Sequence, residues 1–480
     1  MQDPHRAYTP LSGRPASDAP NLISRREQLQ DALDDYVFND LPTYLIRIRD
    51  KKLVTRDEIR EAFRPQLEAI SDEELRKFRS YKDYIRARLR YAIFSHRWGT
   101  GEPLHREIVS NPSWMELRGP GHLKLLKFCE KAEEHGCSYA WSDTCCIDKT
   151  SSAELEEAIR AMYRWYRDAE VCIVHLAESS TLDDFEREPW FGRGWTLQEL
   201  LAPKKMRFYG RDWTPMRSSG SWDGDWNDKA DWRILGAISK VTQIPTGELR
   251  NFRPACDRIS QKMGWASKRK TTRIEDVAYS LIGIFDISMS ISYGEGSWAF
   301  HRLVEVLAQR SGEPSFFAWA GESSRYSFAL PSSPASYGGL GSQMTSNLRL
   351  TGSVFEEVGD RSYAMTKLGL QVKLLVLPVD WTHTGKNGYT LTPALLQTTP
   401  LITEAYYEVF QPSNCALGVV DFTRVEEGRG TLRTGERYFC LLLKRRMGSG
   451  WIKAYTQSVL TLRCNESITK QLETVVLLNS

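Results

Sequence analysis

Between Tyr139 and Leu200, apolar runs, polar turns and amphipathic stretches alternate in an order that few folds accommodate. The segment opens with Tyr139-Ala140-Trp141, a short apolar run ending in Ser142-Asp143, followed by the turn Thr144-Cys145-Cys146-Ile147-Asp148-Lys149. Ser151 and Glu154 then have the spacing of a helix capping box. Behind them Leu155, Ile159, Met162 and Tyr166 recur at helical spacing, with charged residues mostly elsewhere. Val171 to Leu176 is an apolar, β-branched run of the kind that forms a strand buried on both faces. Trp190-Phe191-Gly192-Arg193-Gly194-Trp195 precedes a short helix that carries one carboxylate, Glu199, among apolar neighbours. Strand, helix, strand, helix is a βαβα unit, and such units build parallel sheets.

At 480 residues the chain exceeds one typical domain. A net charge of +3 with both signs abundant gives no reason to expect a nucleic-acid partner. No apolar run approaches the roughly 20 residues that cross a bilayer. The polar, Pro-containing stretch Met1 to Pro20 does not have the pattern of a secretory signal. Nine scattered cysteines are most simply read as reduced thiols, and a cytoplasmic setting is expected.

In chain order, residues 1–22 are expected to be disordered, and 23–89 to form a helical lead-in (Arg25–Tyr36, Arg56–Ile70, Asp72–Leu89), with Pro65 kinking or splitting its second helix. Tyr91-Ala92-Ile93-Phe94-Ser95 is a buried-strand pattern ending in the polar and aromatic cluster Ser95-His96-Arg97-Trp98-Gly99. Open α/β sheets place ligands at such strand exits. A helix over about 123–135 follows, then the βαβα unit and a further strand, Met206-Arg207-Phe208-Tyr209. A Ser/Gly/Asp/Trp-rich loop (about 214–231) leads to a helical annex over 230–312. From 315 to 480, short alternating runs at 371–378, 406–410, 418–422, 438–444 and 451–455 predict a β-rich domain.

Three motifs in order, Tyr91 to Gly99, Trp141 to Lys149 and Gly194 to Leu200, together resemble the heterokaryon-incompatibility (HET) domain, which acts in fungal self/non-self recognition and cell death. The likeness covers residues 90–215. Arg269 to Tyr279 and Tyr293-Gly294-Glu295-Gly296 look like the segment that often trails this domain. More distantly, the same region resembles TIR domains, which implies a TIR/flavodoxin-like α/β fold. Arg193-Gly194-Trp195-Thr196-Leu197-Gln198-Glu199-Leu200 is similar to the TIR motif Ser-x-Trp-Cys-x-x-Glu-Leu, whose glutamate is catalytic in NAD-cleaving members. Arg193 and Thr196 stand where that motif has Ser and Cys.

The resemblance implies cleavage of the nicotinamide–ribose bond of NAD, as substrate rather than cofactor. It also implies self-association and a non-self partner. Nicotinamide leaves a cationic pyridinium as a neutral group, so the site needs mainly a carboxylate to stabilise an oxocarbenium-like transition state and to exclude water. Glu199 is the candidate, with Trp195 beside it. Trp98 can stack on a ring, Arg97 and Arg193 can meet the pyrophosphate, and Ser95 and His96 can contact ribose or adenine. Asp143 can orient these groups.

Each residue also has a plainer reading. Glu199 can be a helix-start carboxylate favoured by the dipole by about 0.3–1 kcal/mol, and Trp98 can pack on the loop after Trp141. Arg97 and Arg193 can be solvated or bridge Asp143 or Asp148, while Asp143 can simply fix its loop. The alternative to an enzyme is a TIR-like module that signals by oligomerising and recruiting partners without catalysis. A Cys–His hydrolase built from Cys145 or Cys146, His96 and Asp143 lacks any spacing that sets the His opposite the Cys. Zinc lacks a C-x-x-C pair, and Gly192 and Gly194 do not form a Rossmann phosphate loop.

Overall fold

The computed structural model describes residues 25–111, 114–216, 227–339, 363–383, 389–393, 401–403, 414–426, 428–446, 450–464 and 466–480. The stretch 1–22 and the strand expected at 406–410 lie outside them, as does most of the loop expected at 214–231.

Two compact units emerge, one comprising residues up to Leu41 with Thr55–Leu89, the other Pro42–Val54 with Arg90–Ser480. In the first, helices Arg25–Asp35, Arg56–Ala69 and Tyr81–Arg88 bury Leu29, Leu33, Ile59, Phe63, Tyr84 and Ile85. Pro65 neither splits nor ends its helix, which runs from Arg56 to Ala69. This helix is fixed at its start by a capping box in which Thr55 and Glu58 exchange hydrogen bonds.

The helical lead-in expected over 23–89 needs correction in its middle. Tyr44–Arg47 (β1) and Lys52–Thr55 (β2) are strands at the edge of the main sheet. Four residues are too few to show a period, and the partner of β1 lies far along the chain: Ile46 pairs with Ala140 and Arg47 with Tyr139.

The other strands of that sheet are Tyr91–His96 (β3), Tyr139–Trp141 (β4), Val171–His175 (β5) and Met206–Tyr209 (β6), in the order β2-β1-β4-β3-β5-β6. β4, β3, β5 and β6 are parallel, and β1 runs antiparallel to β4. Among the parallel strands the first in sequence, β3, is central, and connections leave it in both directions. The resulting switch point lies between the carboxyl ends of β3 and β5.

Helices cover both faces. Phe94 of β3 stacks on Phe128 of helix Pro120–Glu134, 4.4 Å between centroids. Trp141 of β4 meets Trp165 and Tyr166 of helix Ser152–Asp168 edge-on at 5.7 and 6.0 Å. Ser151 caps that helix by accepting the Glu154 amide, and the Glu154 carboxylate takes the amide of Asp148.

The helical annex includes Trp232–Thr242, Ile259–Ala266, Asp276–Tyr279 and Trp298–Arg310. Beyond it, Gly369–His383, Cys415–Val419, Arg437–Arg445, Trp451–Lys453 and Glu473–Leu478 belong to one largely antiparallel sheet. Leu375, Leu417, Leu442 and Leu462 lie in the core of that region. The protein is therefore α/β with a β-rich C-terminal region, and no described helix is long and apolar enough to cross a membrane.

Candidate functional site

The alternation of a strand decides which candidates can meet. Successive side chains of β3 point to opposite faces, so Ser95 faces Glu199 while Phe94 and His96 face helix Pro120–Glu134. Ser95 Oγ donates to Glu199 Oε2 at 2.5 Å, across 104 residues of sequence. Trp190 Nε1 donates to the same Ser95 Oγ at 2.9 Å. Helix Thr196–Leu201 carries Glu199 in its first turn and buries its entire length, and Cys172 Sγ of β5 lies 4.0 Å from the Glu199 carbonyl oxygen.

Glu199 is only 6% exposed. Burial, aided by the nearby negative charge of Asp143, pushes its carboxyl up to about 7, against the opposing pull of Ser95, Arg193 and Arg269. Near neutrality this side chain therefore lies between its two protonation states. Glu199 also lies in the first turn of its helix, where the plainer reading of this carboxylate put it.

His96 sits on the other face, stacked on Phe94 at 4.1 Å. The two residues expected to share one ligand are thus separated by the sheet. Burial lowers the His96 imidazole below its ordinary range, and its Nε2 lies 3.7 Å from Glu102. Glu102 was not singled out in the sequence. It accepts the Gly99 amide at 2.7 Å and pairs with Lys124. Burial pushes its carboxyl up, but His96, Lys124 and the Gly99 amide outweigh that and leave it at about 2.

Trp98 is 40% exposed; its Nε1 donates to Asp143 Oδ2 at 2.9 Å, and Lys149 Nζ lies 4.0 Å from its ring centroid. Trp98 thus packs on the loop after β4, with Asp143 as its anchor. Arg97 pairs with Glu178 at 2.6 Å on the surface, not with Asp143 or Asp148. Arg193 turns inward and donates from Nη1 to the His96 carbonyl at 3.0 Å. Trp195 reaches Asp276, which also accepts from the Tyr293 hydroxyl at 2.8 Å. Cys145 and Cys146 are buried with their sulfurs 4.0 Å apart. Burial holds the Cys146 thiol well above its ordinary range. The described contacts of His96 include neither cysteine, so no Cys–His pair forms.

The trailing segment proves to be part of the site's frame. Gly194 N donates to the Lys270 carbonyl and Lys270 N to the Gly192 carbonyl, each at 2.8 Å, so this strip holds the loop before Glu199 like a short strand. Arg269 donates to the Arg193 carbonyl at 2.9 Å and to Thr196 Oγ1 at 3.0 Å. Thr196 Oγ1 in turn donates toward the Trp190 carbonyl at 2.6 Å. Nearby, the amides of Gly294 and Gly296 both donate to Glu275 Oε1, at 2.9 and 3.0 Å. Trp190, Arg269 and Lys270 had no role assigned from the sequence. Their signal was present only as composition, a Pro-Trp-Phe run before a Gly and a basic pair.

Residues 91–185 match the family model described as heterokaryon incompatibility protein (HET). It is 40% identical over 237 residues to vegetative incompatibility protein HET-E-1 of Podospora anserina, a match covering 46% of this chain. The match takes in 16% of the relative's own length. No solved structure matches.

Proposed function

We propose that this chain acts in heterokaryon incompatibility as a cytoplasmic cell-death effector whose HET domain cleaves NAD. The observation that carries the reading is the Glu199 carboxyl, enclosed at the exit of the central strand and bonded to Ser95. The strand order β4-β3-β5-β6 supports it, because flavodoxin-like sheets, the TIR type among them, bind ligands at this switch point. In the reaction the C1′–N bond of NAD breaks and nicotinamide leaves with the electron pair, becoming neutral. Ionised Glu199 stabilises the oxocarbenium-like carbon left behind. Water then adds to that carbon, and its proton goes to solvent, giving ADP-ribose.

Enclosure of Glu199 gives the reading a second consequence. NAD reaches the carboxylate only after the Trp190–Trp195 loop shifts, which fits an effector kept silent until a non-self partner or self-association releases it. The same enclosure also favours the alternative, a TIR-like module that signals by oligomerising without catalysis. Incubating the full chain with NAD and following nicotinamide release separates them. Turnover in the wild type that is abolished in Glu199→Gln supports the enzyme. Cell killing without NAD loss, even when the protein is clustered, supports the adaptor.

A further inference from the structure

A cavity adjoins the loop that leads into Glu199, through Phe191 and Arg269. It has a volume of about 260 Å³ and is lined in part by Phe191, Trp265, Tyr337, Gly264, Lys268 and Arg269. For scale, a cavity of about 150 Å³ holds one benzene, and drug-sized ligands need about 300 Å³ or more. This space therefore takes one aromatic ring and a few further atoms, and a dinucleotide does not fit. Three aromatic side chains supply apolar walls. The lining contains two cations, Lys268 and Arg269, and no carboxylate.

Arg269 keeps one guanidinium nitrogen uncommitted. Its Nε donates to the Trp265 carbonyl at 3.2 Å, and its Nη1 donates to Arg193 O and Thr196 Oγ1. Its Nη2 has no acceptor among the described residues, and a charged N–H left open in this way can donate to an oxyanion. Lys268 is exposed at the same wall. Arg269 is thus shared between the cavity and the loop that carries Glu199, and Phe191 adjoins Trp190, the residue that bonds Ser95.

We propose that this cavity is an effector site for a small aromatic anion, its ring between Phe191, Trp265 and Tyr337 and its oxyanion on Arg269 and Lys268. Occupancy engages the remaining Arg269 nitrogen and stiffens the loop Trp190–Trp195 together with the helix it leads into. The inference goes beyond the NAD reading and does not need it, because loop order can be read without turnover.

Phenyl phosphate is the probe, with phenol and inorganic phosphate as its two halves, titrated by calorimetry into the full chain. Hydrogen exchange is followed over residues 190–201. Phenyl phosphate is expected to bind at least tenfold more tightly than either half and to slow exchange in that segment several-fold. Lys268→Glu, at an exposed position, should weaken binding at least tenfold. Gly264→Leu should abolish it by filling the space, since a Cβ there meets nothing closer than the Tyr337 carbonyl oxygen at 3.9 Å. Binding that survives both variants, or equal binding of inorganic phosphate, overturns the site. Binding that leaves exchange in 190–201 unchanged overturns the coupling.

Discussion

Ser95 Oγ and Glu199 Oε2 lie 2.5 Å apart, joining the exit of the central strand to the first turn of a wholly buried helix. Ser95 receives a bond from Trp190 while giving one to Glu199, so it is a relay and not an end point. Ser95→Ala removes a donor from a buried carboxylate and an acceptor from a buried indole. We expect a loss of about 1.5–3 kcal/mol in denaturant unfolding at neutral pH. The Glu199 carboxyl should titrate still higher, followed by infrared absorption of the protonated acid. An unchanged titration midpoint would show that the contact does not set the charge state.

Stability should depend on pH through Glu199. Its folded-state value is about 7, above the ordinary 4.5, so the unfolded chain ionises first as pH rises. The contribution is fully present below about 4.5 and is lost as pH rises through 7, by roughly 3 kcal/mol at most. Glu199→Gln carries no titrating group and should lack this decline, becoming the more stable of the two at pH 8. Parallel stability curves for the two proteins from pH 4.5 to 8 would refute the burial argument. If the carboxylate is the catalytic form, NAD cleavage should rise with pH through the same value.

Much of the layered domain was legible because periodicity reports burial. The run Val171 to Leu176 and the helical spacing of Leu155, Ile159, Met162 and Tyr166 each led to an element at the expected place. The site was legible only in part. Period two already separates Ser95 from His96, yet adjacency in sequence invites placing them on one ligand. Glu102 carries no pattern of its own, because its meaning comes from Gly99, His96 and Lys124, which only the folded chain brings to it. Arg269 and Lys270 are similarly opaque, since a basic pair on a surface and one clamping a loop read alike.

Gly194 should not tolerate a side chain. A Cβ there would sit 2.4 Å from Thr271 Cγ2, which is fixed because Thr271 Oγ1 donates to the Arg273 carbonyl. Gly194→Ala should cost about 1–3 kcal/mol as overpacking. Thr271→Ser removes the offending methyl and keeps the hydroxyl, so the double variant should recover most of the loss in thermal unfolding. No recovery would place the strain elsewhere.

In the C-terminal region Lys453 is buried with its amine 3.4 Å from the Trp319 ring centroid and has no hydrogen-bond acceptor among the described residues. Burial lowers it to about 7. The unfolded chain then holds the extra proton between about 7 and 10.5, so this group makes stability rise with pH in that window. Lys453→Met should be more stable than the wild type at pH 7, by about 1–3 kcal/mol, and should lose that rise. A variant less stable at pH 7 would mean that the contact with Trp319 outweighs the desolvation of the amine.

The paired bonds between Lys270 and the two glycines, Gly192 and Gly194, bear on where this protein can be cut. A fragment trimmed to 91–185 would omit the last parallel strand and the helix of Glu199. One ending near 215 would retain both but leave two backbone amide–carbonyl pairings open to water. The smallest piece expected to keep the carboxylate housed therefore extends through Tyr279, well past the border that family likeness draws.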